Sequence, residues 1–214
     1  MRTYKVRPNE HYFKGPKMQL IYLQISLCLV SVLISMLTGN CYWLIAFPIL
    51  LFGFSGYLSD KTGTFYFKAK FDNDCLYQLK ENYDQINKLY GFSTGFHHHN
   101  SARFGWRCVD NETIEILAYC YINGKRISKT IMNVKPGDWT VFSIQSKTDK
   151  YVFRVMSNKN PGKICIINKE KGSLKYELLK LFIYKLFPYF GGRVPSPKEM
   201  NISILDLKKF SYDE

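Results

Sequence analysis

The stretch HHHNSARFGWR, residues 97–107, gathers three of the chain's four histidines with two arginines and a tryptophan. Side chains of these types can ligate a metal, move protons, or hold an anion. Consecutive residues of an extended strand point to opposite faces, so the triplet offers at most two ligands to one side, short of the three or four that zinc requires. No metal and no cofactor is expected. For nucleophilic chemistry Ser101 stands near the histidines, but no nucleophile elbow surrounds it and no acid takes the third place, so no catalytic residue is expected either. Anion or polar-ligand binding suits the set best, because arginine forks, a titratable imidazole and stacking tyrosines are the groups that hold such ligands. The plainer alternative is that these cations pair with a neighbouring carboxylate such as Glu115.

Alternation places Ser101, Arg103, Gly105 and Arg107 on one face of their strand and Ala102, Phe104, Trp106 and Cys108 on the other. The apolar set faces a core. The two guanidiniums then stand about 7 Å apart on the opposite surface, near Glu115 and Tyr119 of the adjoining hairpin. A two-residue turn at His99-Asn100 would align His98 with the arginines, and a three-residue turn would align His97; both stay open. The candidate ligand-binding set is His97, His98, Arg103, Arg107, Glu115 and Tyr119.

The elements that must position these groups begin at about residue 62, where short runs rich in Phe, Tyr, Ile and Val alternate with Asn, Asp, Gly and Pro. About ten strands are expected from TFYFKAKF (64–71) to MNISILDL (200–207). Asn123-Gly124 is the clearest turn signal, because a type I′ hairpin needs positive φ at both central positions. Pro136-Gly137-Asp138 marks the next reversal. In TIEILAYCYI the set Ile114, Ile116, Ala118, Cys120 and Ile122 belongs to the core, and Glu115, Leu117, Tyr119 and Tyr121 form the floor of a groove. The spacing of Leu76, Leu79, Tyr83, Ile86 and Tyr90 predicts one short helix over 75–90. The segment 174–187 reads as helix or strand, its aromatic residues favouring an extended end. This many strands suit a two-sheet, all-β sandwich.

The strand order, the FGWR hairpin and the late YFGG, PSP and MNISI segments resemble the concanavalin-like lectin and glucanase jelly roll over residues 64–209. The resemblance implies a jelly-roll-like fold and a lectin-like or carbohydrate-active protein. The paired acids of the polysaccharide-cutting enzymes (ExDxE) and the Gln-Ile-His of the alginate-lyase branch do not occur here, so no catalytic residue is carried over.

Residues 18–38 run without a charge, and at 1.5 Å per residue about twenty residues match a hydrocarbon core of about 30 Å. After Gly39-Asn40 a second uncharged stretch covers 41–58, with Pro48 as a kink. So brief a connection makes the two spans antiparallel. Lysines and arginines flank both outer ends (Arg2, Lys5, Arg7, Lys14 and Lys17; Lys61, Lys68 and Lys70) and none lies in the turn, which places both termini in the cytoplasm of an inner, plasma membrane. The organisation expected is a cytosolic basic arm (1–17), a two-helix transmembrane hairpin (18–58) and a cytosolic β-sandwich domain (59–214). Six cysteines scattered without CxxC spacing fit reduced thiols.

Neither span carries an ionisable group, which argues against a transport path through one copy. Small residues such as Gly53, Ser55 and Gly56 offer a surface through which copies could form a homo-oligomer. The net charge of +13 suits anionic lipid or an anionic ligand, while no arginine-rich tract or motif points to nucleic acid. The plan is similar in architecture to membrane effectors of bacterial antiviral systems that respond to nucleotide signals. The function expected is a membrane-anchored sensor or effector whose sandwich binds a small anionic or polar ligand or a protein partner and whose transmembrane hairpin oligomerises or disrupts the inner membrane, as in antiviral defence. A lectin-like protein and a passive scaffold are the alternatives.

Overall fold

A computed structural model describes residues 1–12, 64–79, 85–157, 160–169 and 183–208. The expected membrane hairpin at 18–58 lies outside the described residues. Among those residues no helix is long and apolar enough to cross a membrane.

Among the described residues eleven strands form two antiparallel sheets. In chain order they are β1 (Arg2–Val6), β2 (Thr64–Phe71), β3 (Asn87–Thr94), β4 (Ser101–Val109), β5 (Thr113–Ile122), β6 (Lys125–Val134), β7 (Thr140–Ser146), β8 (Lys150–Ser157), β9 (Asn160–Asn168), β10 (Ile183–Leu186) and β11 (Met200–Asp206). One sheet has the order β1-β11-β2-β7-β8-β9, the other β10-β3-β4-β5-β6. The layering is that of the expected two-sheet sandwich. Its core is aromatic: Phe67 stacks on Phe142 at 4.9 Å, Phe104 meets Phe153 edge-on at 5.2 Å, and Trp106 is enclosed between Phe71, Tyr77 and Phe190. Each fully buried ring of this kind stabilises the fold by about 1.5–3 kcal/mol through area removed from water.

Three local expectations are corrected. The arm is not wholly an arm, because Arg2–Val6 pairs with β11 and buries Tyr4 and Val6 by alternation, completing the six-stranded sheet. No helix runs over 75–90: Asn73–Cys75 forms a 3₁₀ turn, residues 80–84 lie outside the described set, and Asn87 already opens β3. A one-residue bulge in β3 between Lys88 and Gly91 sends both Leu89 and Tyr90 inward, and that spacing imitates a helical stripe. The β3–β4 hairpin does not turn at His99-Asn100, since β3 ends at Thr94 and residues 95–100 form a six-residue loop closed by Thr94 N–H donating to the Asn100 carbonyl at 3.0 Å.

Other expectations match. Asn123 (φ 51°) and Gly124 (φ 80°) make the predicted reversal between β5 and β6. Ile114, Ile116, Ala118, Cys120 and Ile122 are all buried in the core. The aromatic end after residue 182 is extended, as β10.

Candidate functional site

The site is the outer face of the five-stranded sheet, and its layout follows from strand register. One cross-strand row reads Tyr184, Ser93, Ser101, Tyr121, Arg126; the next reads Leu186, Gly91, Arg103, Tyr119, Ser128. A third holds Lys88, Gly105, Leu117 and Thr130. Small residues at Ser93, Gly91, Ser101 and Gly105 keep the middle of the face low, and the large side chains stand to either side. A Cβ on Gly91 would lie 2.3 Å from the Ala102 carbonyl oxygen and 2.4 Å from the Arg103 Cβ, so only glycine lets β3 lie this close to β4 beside Arg103. At Gly105 the missing side chain is replaced by Ile86, which packs with Leu117, Tyr119 and Tyr121 into a small apolar cluster on the same face.

Arg103 is the centre of the arrangement. It is only 7 % exposed, its guanidinium carbon stands 5.6 Å over the Tyr119 ring, and its Nε has no hydrogen-bond partner. Burial lowers its pKa, and the polar groups felt electrostatically are the phenols of Tyr119, Tyr121 and Tyr184. Lys88 lies beside it, its Nζ donating to the Gly191 carbonyl at 2.6 Å and standing 5.4 Å from the Tyr119 ring and 5.8 Å from the Tyr189 ring. Burial, followed by the charges of Arg103 and Arg126, lowers the Lys88 pKa to about 8. Burial likewise raises that of Tyr119 to about 12, helped by a hydrogen bond with Tyr121. Among the described residues no carboxylate acts on Arg103 or Lys88. Cations brought this close and desolvated, with no counter-charge among the described residues, are costly, and an incoming anion relieves the cost.

The histidines fall at one end of this face. His98 meets Tyr121 edge-on at 5.2 Å and lies 4.2 Å from His97, whose protonation is disfavoured by burial first and then by His98 and Arg103. Both therefore border the site, and the long loop removes the either-or choice that a tight turn would have imposed. The loop is docked to the neighbouring turn, with Gly124 N–H donating to the His99 carbonyl at 3.0 Å and Asn123 N–H donating to Asn100 Oδ1 at 3.2 Å. His99 pairs with Asn100 at 2.8 Å.

Arg107 and Glu115 are placed differently. Arg107 Nε donates to Glu115 Oε2 across β4 and β5, and Thr130 donates to the other carboxylate oxygen at 2.9 Å. This is a closed structural pair at the far end of the strand, the plainer role weighed for these cations. Of the six candidates, His97, His98, Arg103 and Tyr119 come together. Sequence reading missed Lys88, hidden inside the expected helix, and Arg126, and it placed Tyr121 on the groove floor without counting it among the ligand-binding candidates. The last two were recoverable, since the Asn123-Gly124 turn sets Tyr121 opposite Arg126. Among the described residues no cluster of three metal-ligating groups occurs.

No family model matches the chain, and no curated protein matches it. Solved structures similar to it include an alginate lyase from Klebsiella pneumoniae, at 8% identity and a TM-score of 0.48, covering 68% of this chain and 60% of that one. A functionally unknown protein from Saccharomyces cerevisiae is similar at 10% identity and a TM-score of 0.37, covering 68% of this chain and 70% of that one. The CBM2 module of the evolved Dit of Lactobacillus casei BL23 phage J-1 is similar at 10% identity and 0.34, covering 71% and 66%. The chain thus spans about 60% of the length of the lyase it matches.

Proposed function

We propose that the outer face of the five-stranded sheet receives a small anionic ligand bearing a ring, and that the protein is a sensor or effector held at a membrane by residues 18–58. The observation that carries the ligand reading is Arg103, a nearly enclosed guanidinium with an unsatisfied Nε, set beside Lys88 and Arg126 with no described carboxylate to answer it. A phosphate or carboxylate answers the charge of this group, and the partly exposed Tyr121 and Tyr189 supply faces and edges for a ring. The uncharged stretches 18–38 and 41–58, with lysines and arginines outside them, support the membrane attachment.

Two sources share this ligand chemistry, a nucleotide and an acidic sugar. Calorimetric titration of the full chain with inorganic phosphate, a nucleoside monophosphate and an oligouronate separates them. Saturable binding of the nucleotide well above phosphate supports a nucleotide-responsive sensor, and preference for the oligouronate supports the lectin-like alternative. Failure of all three to bind at low ionic strength overturns the proposal.

A further inference from the structure

The opposite surface of the sandwich, the outer face of the six-stranded sheet, has a different character. Register sets Tyr66, Ser143, Arg154 and Ile164 in one row, and Lys68, Val141 and Met156 in the row beside it. Trp139 stands just beyond, with Lys68 Nζ 5.6 Å and Lys70 Nζ 5.8 Å from its ring. At the edge, β9 turns Ile164 and Ile166 outward at 64% and 48% exposure. Every outward strand position of β2, β7, β8 and β9 on this face is neutral or basic, none being Asp or Glu. Aliphatic side chains left in water beside an indole and a row of cations are what the headgroup boundary of an anionic bilayer accommodates: aromatic and aliphatic groups enter the boundary and lysines meet the phosphates.

We infer that this face, through Lys68, Lys70, Trp139, Arg154, Ile164 and Ile166, docks the sandwich onto an anionic phospholipid surface. A second copy is a poorer occupant, because twofold pairing would set these cations against their own images. The Arg103 face lies on the other side of the sandwich, so this docking leaves the proposed ligand site uninvolved. The docking side chains all belong to the sandwich.

The test is photo-crosslinking of the full chain reconstituted in vesicles of phosphatidylcholine alone or with phosphatidylglycerol. Benzoylphenylalanine is placed at Ile164 and, as a control on the opposite face, at Arg126. Phospholipid adducts at position 164, rare at 126, raised by phosphatidylglycerol and suppressed by high salt, are expected. Replacing Lys68, Lys70 and Arg154 together by Gln lowers the yield at 164 about tenfold or more, since each cation near an anionic leaflet contributes a several-fold factor. The salt and lipid-composition arms need no substitution in the cationic row and decide the matter if that triple variant fails to fold. Equal adduct yields at both positions, or yields indifferent to phosphatidylglycerol, overturn the inference. A protein-protein adduct at 164 in place of lipid assigns the face to a second copy and overturns it as well.

Discussion

A guanidinium as enclosed as that of Arg103 weakens the folded state when nothing answers its charge, and this gives a test that stability and binding must pass together. Arg103→Met keeps the length and apolar body of the side chain and removes the charge and the unsatisfied Nε. Thermal or urea unfolding of this variant is expected to show a gain of about 1–3 kcal/mol, the range seen when buried charges give way to apolar groups. Affinity for the anion falls by more than about thirtyfold. A destabilised variant would show that the guanidinium holds the sheet together. Lys88 supplies the pH test. Its pKa is lowered to about 8 from 10.5, so between these values the unfolded chain holds a proton that the folded chain has released, and Lys88 makes stability rise with pH in that window. Burial raises the thiols of Cys75 and Cys120, which pull the other way as the unfolded thiols ionise. The Lys88 contribution is therefore read as the difference between the wild type and Lys88→Met, and that difference should grow from pH 8 to pH 10. A bound anion holds the proton on Lys88, so anion affinity falls as pH climbs above about 8 and this fall is absent in Lys88→Met; a flat difference would remove Lys88 from the site.

At the scale of elements, the site depends on two devices that bring separate strands to one surface. The first is the close approach of β3 to β4 at Gly91. Gly91→Ala drives a methyl into the Ala102 carbonyl and the Arg103 backbone, and a loss of about 3 kcal/mol is expected in urea titration, together with loss of anion binding. The second is the docking of the 95–100 loop onto the β5–β6 turn through Asn100 and His99. Asn100→Ala removes the acceptor for Asn123 N–H and is expected to lower stability by about 1 kcal/mol while loosening His98 from Tyr121, which the imidazole resonances of His98 report by NMR. These devices also mark what was legible in the sequence. The alternation of Ala102, Phe104 and Trp106 against Arg103 and Arg107 is local and survives folding unchanged. So is the Asn-Gly turn, whose positive φ values only a few residue types accept. The β3 bulge is not local: one extra residue puts Leu89 and Tyr90 on the same side, and the run 75–90 imitates a helix until β4 is there to pair with. For the same reason Lys88 escaped notice. The closed pair of Arg107 with Glu115 differs from the unpaired Arg103 only through what lies opposite on β5 and β6, a carboxylate with Thr130 in one case and Tyr119 with Ser128 in the other.

The whole molecule is stitched from both ends. β1 lies against β11, and past it His11 stacks on Tyr189 at 5.4 Å while Phe190 N–H donates to the His11 carbonyl at 2.6 Å. The chain therefore builds one edge of the sandwich before reaching residue 13 and returns at Thr64 to lay β2 on the other side of β11. Residues 13–63 are an insertion between two neighbours of the same strand, and removal of everything before residue 59 would strip β1 and uncover the edge of β11. A domain that retains residues 1–12 and replaces 13–63 by about fifteen Gly and Ser residues keeps both partners of β11; a linker of this length has a typical span of about 20 Å and can extend further. It is expected to be soluble, to unfold in one cooperative step, and to bind the anion as the full chain does. The domain lacking residues 1–58 is expected to aggregate through its open edge. The expected disposition of the insertion is tested in the full chain: with residues 18–58 folded back within a plasma membrane, protease added to intact spheroplasts spares the sandwich and digests it only after lysis. Cleavage in intact spheroplasts would place the sandwich outside, where an acidic extracellular sugar becomes the better candidate for the Arg103 face.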